Sequence, residues 1–212
     1  MRPHHLLLLV AFVPACAAGG GDGDDPRDVL GSQRRATIAP VESKTEVHAS
    51  IERPDGVHGG SAQLQLQDGH VVLHVDRGPD DDDRLVLDEL RLAYQDIVLP
   101  PAYFHDGQIL SGVVVQLDHP LEMRVASTGA GAMLATGATD LRLDWDLRVD
   151  GEAYGLAPQK LATLDVELVV SRGDELRVDL SLFRDGVMWT WAEDVITLGD
   201  AEVVATAHAA ID

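Results

Sequence analysis

Asp140-Leu141-Arg142-Leu143-Asp144-Trp145-Asp146-Leu147-Arg148-Val149 decides the fold. Five apolar residues hold the odd positions and charged residues hold the even ones. A strand places successive side chains on opposite faces, so this pattern predicts one buried face and one wet face. Parallel sheets are covered on both sides, so the alternation points to an antiparallel sheet. Similar runs occur at 46–52, 62–67, 70–76, 84–94, 109–117, 121–125, 164–170, 176–183, 187–191 and 202–208. Within 84–94 the parity changes between Leu85/Leu87 and Leu90/Leu92/Tyr94, which predicts a bulge near Asp88-Glu89. No mature window of a dozen residues carries a helical stripe.

Asp-Gly pairs recur at 55–56, 68–69, 106–107, 150–151 and 185–186. Asp-Gly suits a type I′ turn, whose two central residues both need positive φ. A two-residue loop at Asp68-Gly69 would set Leu66 against Val71, Leu64 against Leu73 and Gln67 against His70. At Asp150-Gly151 it sets Leu147 against Tyr154 and Trp145 against Leu156. At Asp185-Gly186 it sets Leu182 against Trp189 and Leu180 against Trp191. Near Gly173-Asp174 a two-residue loop would oppose apolar to charged residues. A three-residue loop sets Val170 against Val178 and Leu168 against Leu180, and a one-residue slip would turn the whole apolar set outward. The expected fold is all-β, an antiparallel hairpin meander forming a sandwich or an open barrel.

The N-terminus reads differently. Met1-Arg2-Pro3-His4-His5 precedes the apolar run Leu6 to Val13, followed by Pro14-Ala15-Cys16. Eight apolar residues are too few to span a ~30 Å hydrocarbon core, which needs about 20 in a helix. The segment is therefore expected to be a targeting peptide. The order resembles a bacterial lipoprotein signal, carried by Val13, Ala15 and Cys16, with Pro14 departing from the family's preference. The resemblance implies lipidation at Cys16, a membrane anchor and, with Ala17 following, outer-membrane sorting. Ala15-Cys16-Ala17 also fits ordinary signal-peptidase cleavage and a soluble exported protein. Cys16 is the single cysteine of the chain, so no internal disulfide is available to it. The expected organisation is a signal peptide at 1–15, a lipidated Cys16 with a Gly/Asp-rich tether at 16–44, and one β domain at 45–212.

Without Arg2, 15 basic residues face 36 acidic ones, a net charge of −21. That balance repels polyanions and argues against nucleic acid as a partner. A 45% hydrophobic content argues for a packed fold rather than an acidic disordered chain.

Chemistry-bearing motifs are sparse. His70 and His74 are four apart, about 13 Å in a strand, too far to share a metal. His48, His58, His105 and His119 have no ligand spacing. Pro79 to Asp83 holds four consecutive aspartates without the spaced pattern of a calcium loop, and reads as a solvated acidic turn. Trp189 and Trp191 are expected in the core, with Phe183 and Met188 on the other face. His58-Gly59-Gly60-Ser61 resembles the opening of an esterase oxyanion loop but lacks the α/β setting. Neither a nucleophile elbow nor a zinc-protease helix motif is present.

No catalytic, cofactor or metal residue is assigned, and no cofactor is expected. The functional expectation is a lipid-anchored cell-envelope protein with a non-enzymatic binding or scaffolding domain. Its partners would be the membrane, through Cys16, and an envelope protein or glycan. The alternative is a carrier of an apolar ligand in a lipocalin-like or open barrel.

Overall fold

The computed structural model describes residues 26–53, 56–78, 83–98, 108–129, 132–155, 158–172, 176–184 and 198–211. Its thirteen strands are β1 (Arg34–Ile38), β2 (Lys44–Arg53), β3 (Gly56–Leu64), β4 (Leu66–Asp76), β5 (Arg84–Tyr94), β6 (Ile97–Val98), β7 (Gln108–Leu117), β8 (Leu121–Gly129), β9 (Ala132–Val149), β10 (Glu152–Gly155), β11 (Gln159–Arg172), β12 (Leu176–Arg184) and β13 (Leu198–Ile211). All pairings are antiparallel. Sheet order runs β1-β4-β5-β7-β9-β11-β12-β13, and β13 pairs back onto β1. The fold is all-β, as the alternation predicts, and the meander closes as a barrel rather than splitting into a sandwich.

Several strands share one place in the wall end to end. β7 covers one half of the space between β5 and β9, and β8 covers the other. β10 and β11 both run along β9. β1 and β2 both run along β13, while β4 lies beside β1 and β3 beside β2. The result is eight wall positions in chain order, a simple up-and-down barrel.

Strand β9 shows why the sequence folds this way. Leu141, Leu143, Trp145 and Leu147 are buried, and Arg142, Asp146 and Arg148 are exposed. Asp144 is half-buried, because it accepts hydrogen bonds from Arg142 and from Gln116 Nε2 at 2.8 Å. The inner parity of the other strands joins the same apolar cluster, including Leu73, Leu87, Leu92, Leu168, Val170 and Leu180.

Two expected connections form. Asp150 and Gly151 have φ of 51° and 86°, and Tyr154 stands opposite Leu147. Leu156 lies outside the described residues. Val170 meets Val178 and Leu168 meets Leu180, with three residues between Arg172 and Leu176. The bulge at Asp88 is also present: Val72 pairs with Glu89 and Leu73 with Leu87.

Two expected hairpins do not form. Asp68-Gly69 lies inside β4, where Gly69 pairs with Leu92, and the 62–67 run is broken at Gln65. A Cβ at Gly69 would lie 3.1 Å from the Arg91 carbonyl oxygen and 3.2 Å from Ile38 Cδ1, so glycine here allows close approach rather than a turn. The register expected beyond Asp185-Gly186 is replaced as well. Leu182 stands between Val166 and Ala205, and Leu180 between Leu168 and Ala207, which fills both sides of β12. Trp189, Trp191 and Met188 lie outside the described residues.

The folded part begins before the expected boundary at 45. A one-turn helix, α1 (Pro26–Val29), leads into Leu30, which is 0% exposed within the barrel core. Ala36 and Ile38 of β1 are also buried. Residues 26–44, assigned from sequence to the tether, therefore belong to the barrel. Arg34-Arg35-Ala36-Thr37-Ile38 offers only two apolar residues of one parity, too few to announce a strand. Cys16 and residues 17–25 lie outside the described residues.

Candidate functional site

The barrel has two unlike ends. At the α1 end, the strands are joined across 77–83, 130–131 and 173–175. The Val75 N–H donates to the Leu30 carbonyl at 2.7 Å, which fixes the segment after α1 across that end. Ion pairs Arg27–Asp83 at 3.2 Å and Arg77–Asp28 at 2.7 Å clip the helix to the flanks of the acidic turn. The Arg77–Asp28 pair is solvated and contributes little, whereas Arg27–Asp83 is part-buried. At the far end lie the strand ends Arg53, Tyr94, Val149 and Arg184.

The interior is graded. Near α1, Leu30, Leu73, Leu85, Leu87, Met123 and Met133 are essentially unexposed. Further along, Thr45 and Tyr94 form a buried polar pair, with Thr45 Oγ1 and Tyr94 Oη 3.1 Å apart. Burial pushes the Tyr94 hydroxyl above its ordinary value of 10.0, and the Thr45 hydrogen bond offsets part of that rise. Beyond this pair, three neighbouring strands carry small residues in register. Ala205 stands beside Thr45 and Leu64, Val203 beside Val47 and Ala62, and Ala201 beside Ala49 and Gly60. Leu143, Trp145 and Leu147 of β9 are buried.

The wall is also interrupted. Pairing of β1 with β4 ends at Thr37/His70, and pairing of β2 with β3 begins at Thr45/Leu64. Between them the chain makes a 3-10 turn at Pro40–Glu42 on one side and leaves Gln65 outside any strand on the other. The turn satisfies its own backbone: the Ser43 N–H donates to the Pro40 carbonyl at 3.3 Å, and Ser43 Oγ donates to the Ala39 carbonyl at 2.8 Å. A cleft of about 330 Å³ occupies the gap, lined by Ser43, Lys44, Thr45, Gln63, Gln65 and Gln95, with Val41 and Leu66 among its apolar members. Pro40 was legible as a break. That two strands break at one level was not, because it depends on which strands become neighbours.

The structure separates the motifs singled out in the sequence. His70 and His74 lie on the outer face of β4 and meet β5 rather than the glutamines of 63–67. His70 Nε2 lies 3.3 Å from Glu89 Oε2, and His74 Nδ1 lies 2.7 Å from Asp88 Oδ2. The bulge at Asp88 places that carboxylate beside His74. His58-Gly59-Gly60-Ser61 is regular strand, paired with 48–51. His48 pairs with Ser61 and Glu202 in register, and His119 is exposed between β7 and β8. Phe183 pairs with Asp165 and Val204. His105 and residues 79–82 lie outside the described residues. Among the described residues, no three His, Cys, Asp or Glu side chains gather as a metal site would require.

The outer surface carries ion pairs along and between strands, such as Arg142–Asp144, Arg177–Asp179 and Arg84–Glu122. The hydrogen bond to Asp144 raises the Arg142 guanidinium above its ordinary value. These pairs lie on solvated faces. No family model matches the chain, and no curated protein matches it.

Proposed function

We propose that this protein is a non-enzymatic binding module of the cell envelope whose barrel holds an apolar ligand at the end away from α1. The observation that carries the reading is one of register: bulky buried side chains fill the α1 end, whereas Ala, Val and Gly stand in register on three adjacent strands beyond Thr45. Small residues in an apolar lining are how a barrel of this size makes room for one small ligand. The buried Thr45–Tyr94 pair supplies a polar mark inside an apolar lining, suited to the head of an amphiphile.

The anchor belongs to the same proposal. Cys16 carries the lipid, and the chain enters the barrel at the α1 end, so the ligand end faces away from the tether. Organic extraction of the purified protein, followed by mass spectrometry, should recover an apolar small molecule, and a fluorescent fatty-acid analogue should bind with saturation. Ala205→Trp should abolish that binding. Absence of both an extracted molecule and saturable uptake refutes the ligand reading. Retention of a Cys16→Ala variant in membranes refutes the anchor.

A further inference from the structure

The cleft in the barrel wall shares Thr45 with the buried pair but has a different chemistry from the apolar core. We propose that it is a binding site for a neutral saccharide. Three glutamines, a serine and a threonine line it, and Lys44 is its single charged lining residue. The Lys44 ammonium is held by Glu46 Oε1 at 2.7 Å, so it offers no uncompensated positive charge. On a chain of net charge −20, an anionic ligand would meet repulsion with nothing to offset it. A wholly apolar ligand would strip water from the amides without replacing its hydrogen bonds.

A saccharide satisfies both conditions. Its hydroxyls donate and accept, as an amide does through its NH₂ and its carbonyl. Gln63 Nε2 donates to Glu46 Oε1 at 3.0 Å, leaving the Gln63 carbonyl oxygen to accept from a ligand. The Gln95 N–H donates to the Gln65 carbonyl at 2.9 Å, which ties these two exposed glutamines into one rim. Ser43 Oγ donates to the Ala39 carbonyl and keeps its acceptor capacity. Saccharides also present C–H faces, and the cleft offers apolar surface to meet them. Val41, at the tip of the 3-10 turn, is 97% exposed. At about 330 Å³ the space lies at the lower end of small-ligand pockets, ~300–1,000 Å³.

The test is titration of the isotope-labelled full chain with maltotriose, cellotriose and chitotriose, read by the side-chain amide resonances of Gln63, Gln65 and Gln95. At least one trisaccharide should shift these resonances with saturation. The double substitution Gln65→Leu/Gln95→Leu removes two hydrogen-bonding groups and should weaken binding roughly ten-fold or more. Both residues are exposed, so the urea midpoint should hold. Gln65→Glu/Gln95→Glu, which keeps shape and solubility, should weaken binding as well. No response to any of the three sugars, or wild-type affinity in both double variants, overturns the proposal. Neither result bears on the barrel ligand, which is read with a fatty-acid probe.

Discussion

Leu30→Ala tests whether the segment before β1 is structural. Leu30 is 0% exposed and sits in the barrel core, and its carbonyl accepts the Val75 N–H at 2.7 Å. Replacing a fully buried leucine by alanine costs about 2–5 kcal/mol, the larger figures arising where the cavity cannot collapse. Strands on all sides limit collapse here, so about 3–4 kcal/mol is expected. With a urea m-value of roughly 1–3 kcal/mol/M for a small domain, the midpoint should fall by about 1–4 M. Arg27→Ala is the control. It removes the Arg27–Asp83 pair on the same segment, at the surface, and should cost no more than about 1 kcal/mol. Urea titration followed by the fluorescence of buried Trp145 reads both variants. Equal, small shifts would show that residues 26–33 lie loosely on the barrel and do not close its end.

Other outcomes follow from single residues. Leu143→Ala should cost about 2–5 kcal/mol and Asp144→Ala no more than about 1 kcal/mol, measured by the same titration; equal losses would contradict the one-sided wall. Gly151→Ala should cost about 1–2 kcal/mol from backbone conformation alone, because its φ is 86° and no atom lies within 4 Å of the added carbon. Gly155→Ala, with ordinary φ, should be near neutral, so matching midpoints would rule out the turn conformation. Tyr94 should make stability fall at alkaline pH. Its folded value is raised above 10.0, so above that pH the unfolded chain releases the proton first and stability declines as pH rises. Melting curves of Tyr94→Phe should lack this component; parallel declines would mean that Tyr94 is not the group involved.

The legible parts of the fold were those carried by local parity. The switch between Leu87 and Leu90 announced the bulge at Asp88, and the pairing of Val170 with Val178 selected the three-residue loop. Asp150-Gly151 and Asp68-Gly69 look alike, since apolar residues flank both symmetrically. One is a turn and the other is strand, because β4 finds β1 and β5 as neighbours, a choice made by residues far away in sequence. Leu182 went the same way: β11 and β13 fill both its sides, whatever local symmetry lies beyond Asp185. The candidate sites were less legible still. Thr45 and Tyr94 meet across the barrel, and the wall cleft needs a break at Pro40 and another at Gln65 to fall side by side.

The seam between β1 and β13 has a consequence for how the protein is made. Ala36 pairs with Ile211, and Ile38 with Ala209, so the barrel is fastened by nearly its first and last paired residues. The same last strand also pairs with β2, from Leu198↔Ile51 to Thr206↔Lys44, whereas the other wall contacts join strands closer in the chain and can form as synthesis proceeds, so the final closure waits for β13. Until then the nascent barrel is an open curl with two bare edges, β1 at one side and the growing strand at the other. Bare edges recruit other strands, so this interval is when two chains would most readily zip together instead of each onto itself. Loss of β13 (Leu198–Ile211) would make that interval permanent, turning a self-contained ring into a sheet with an adhesive margin.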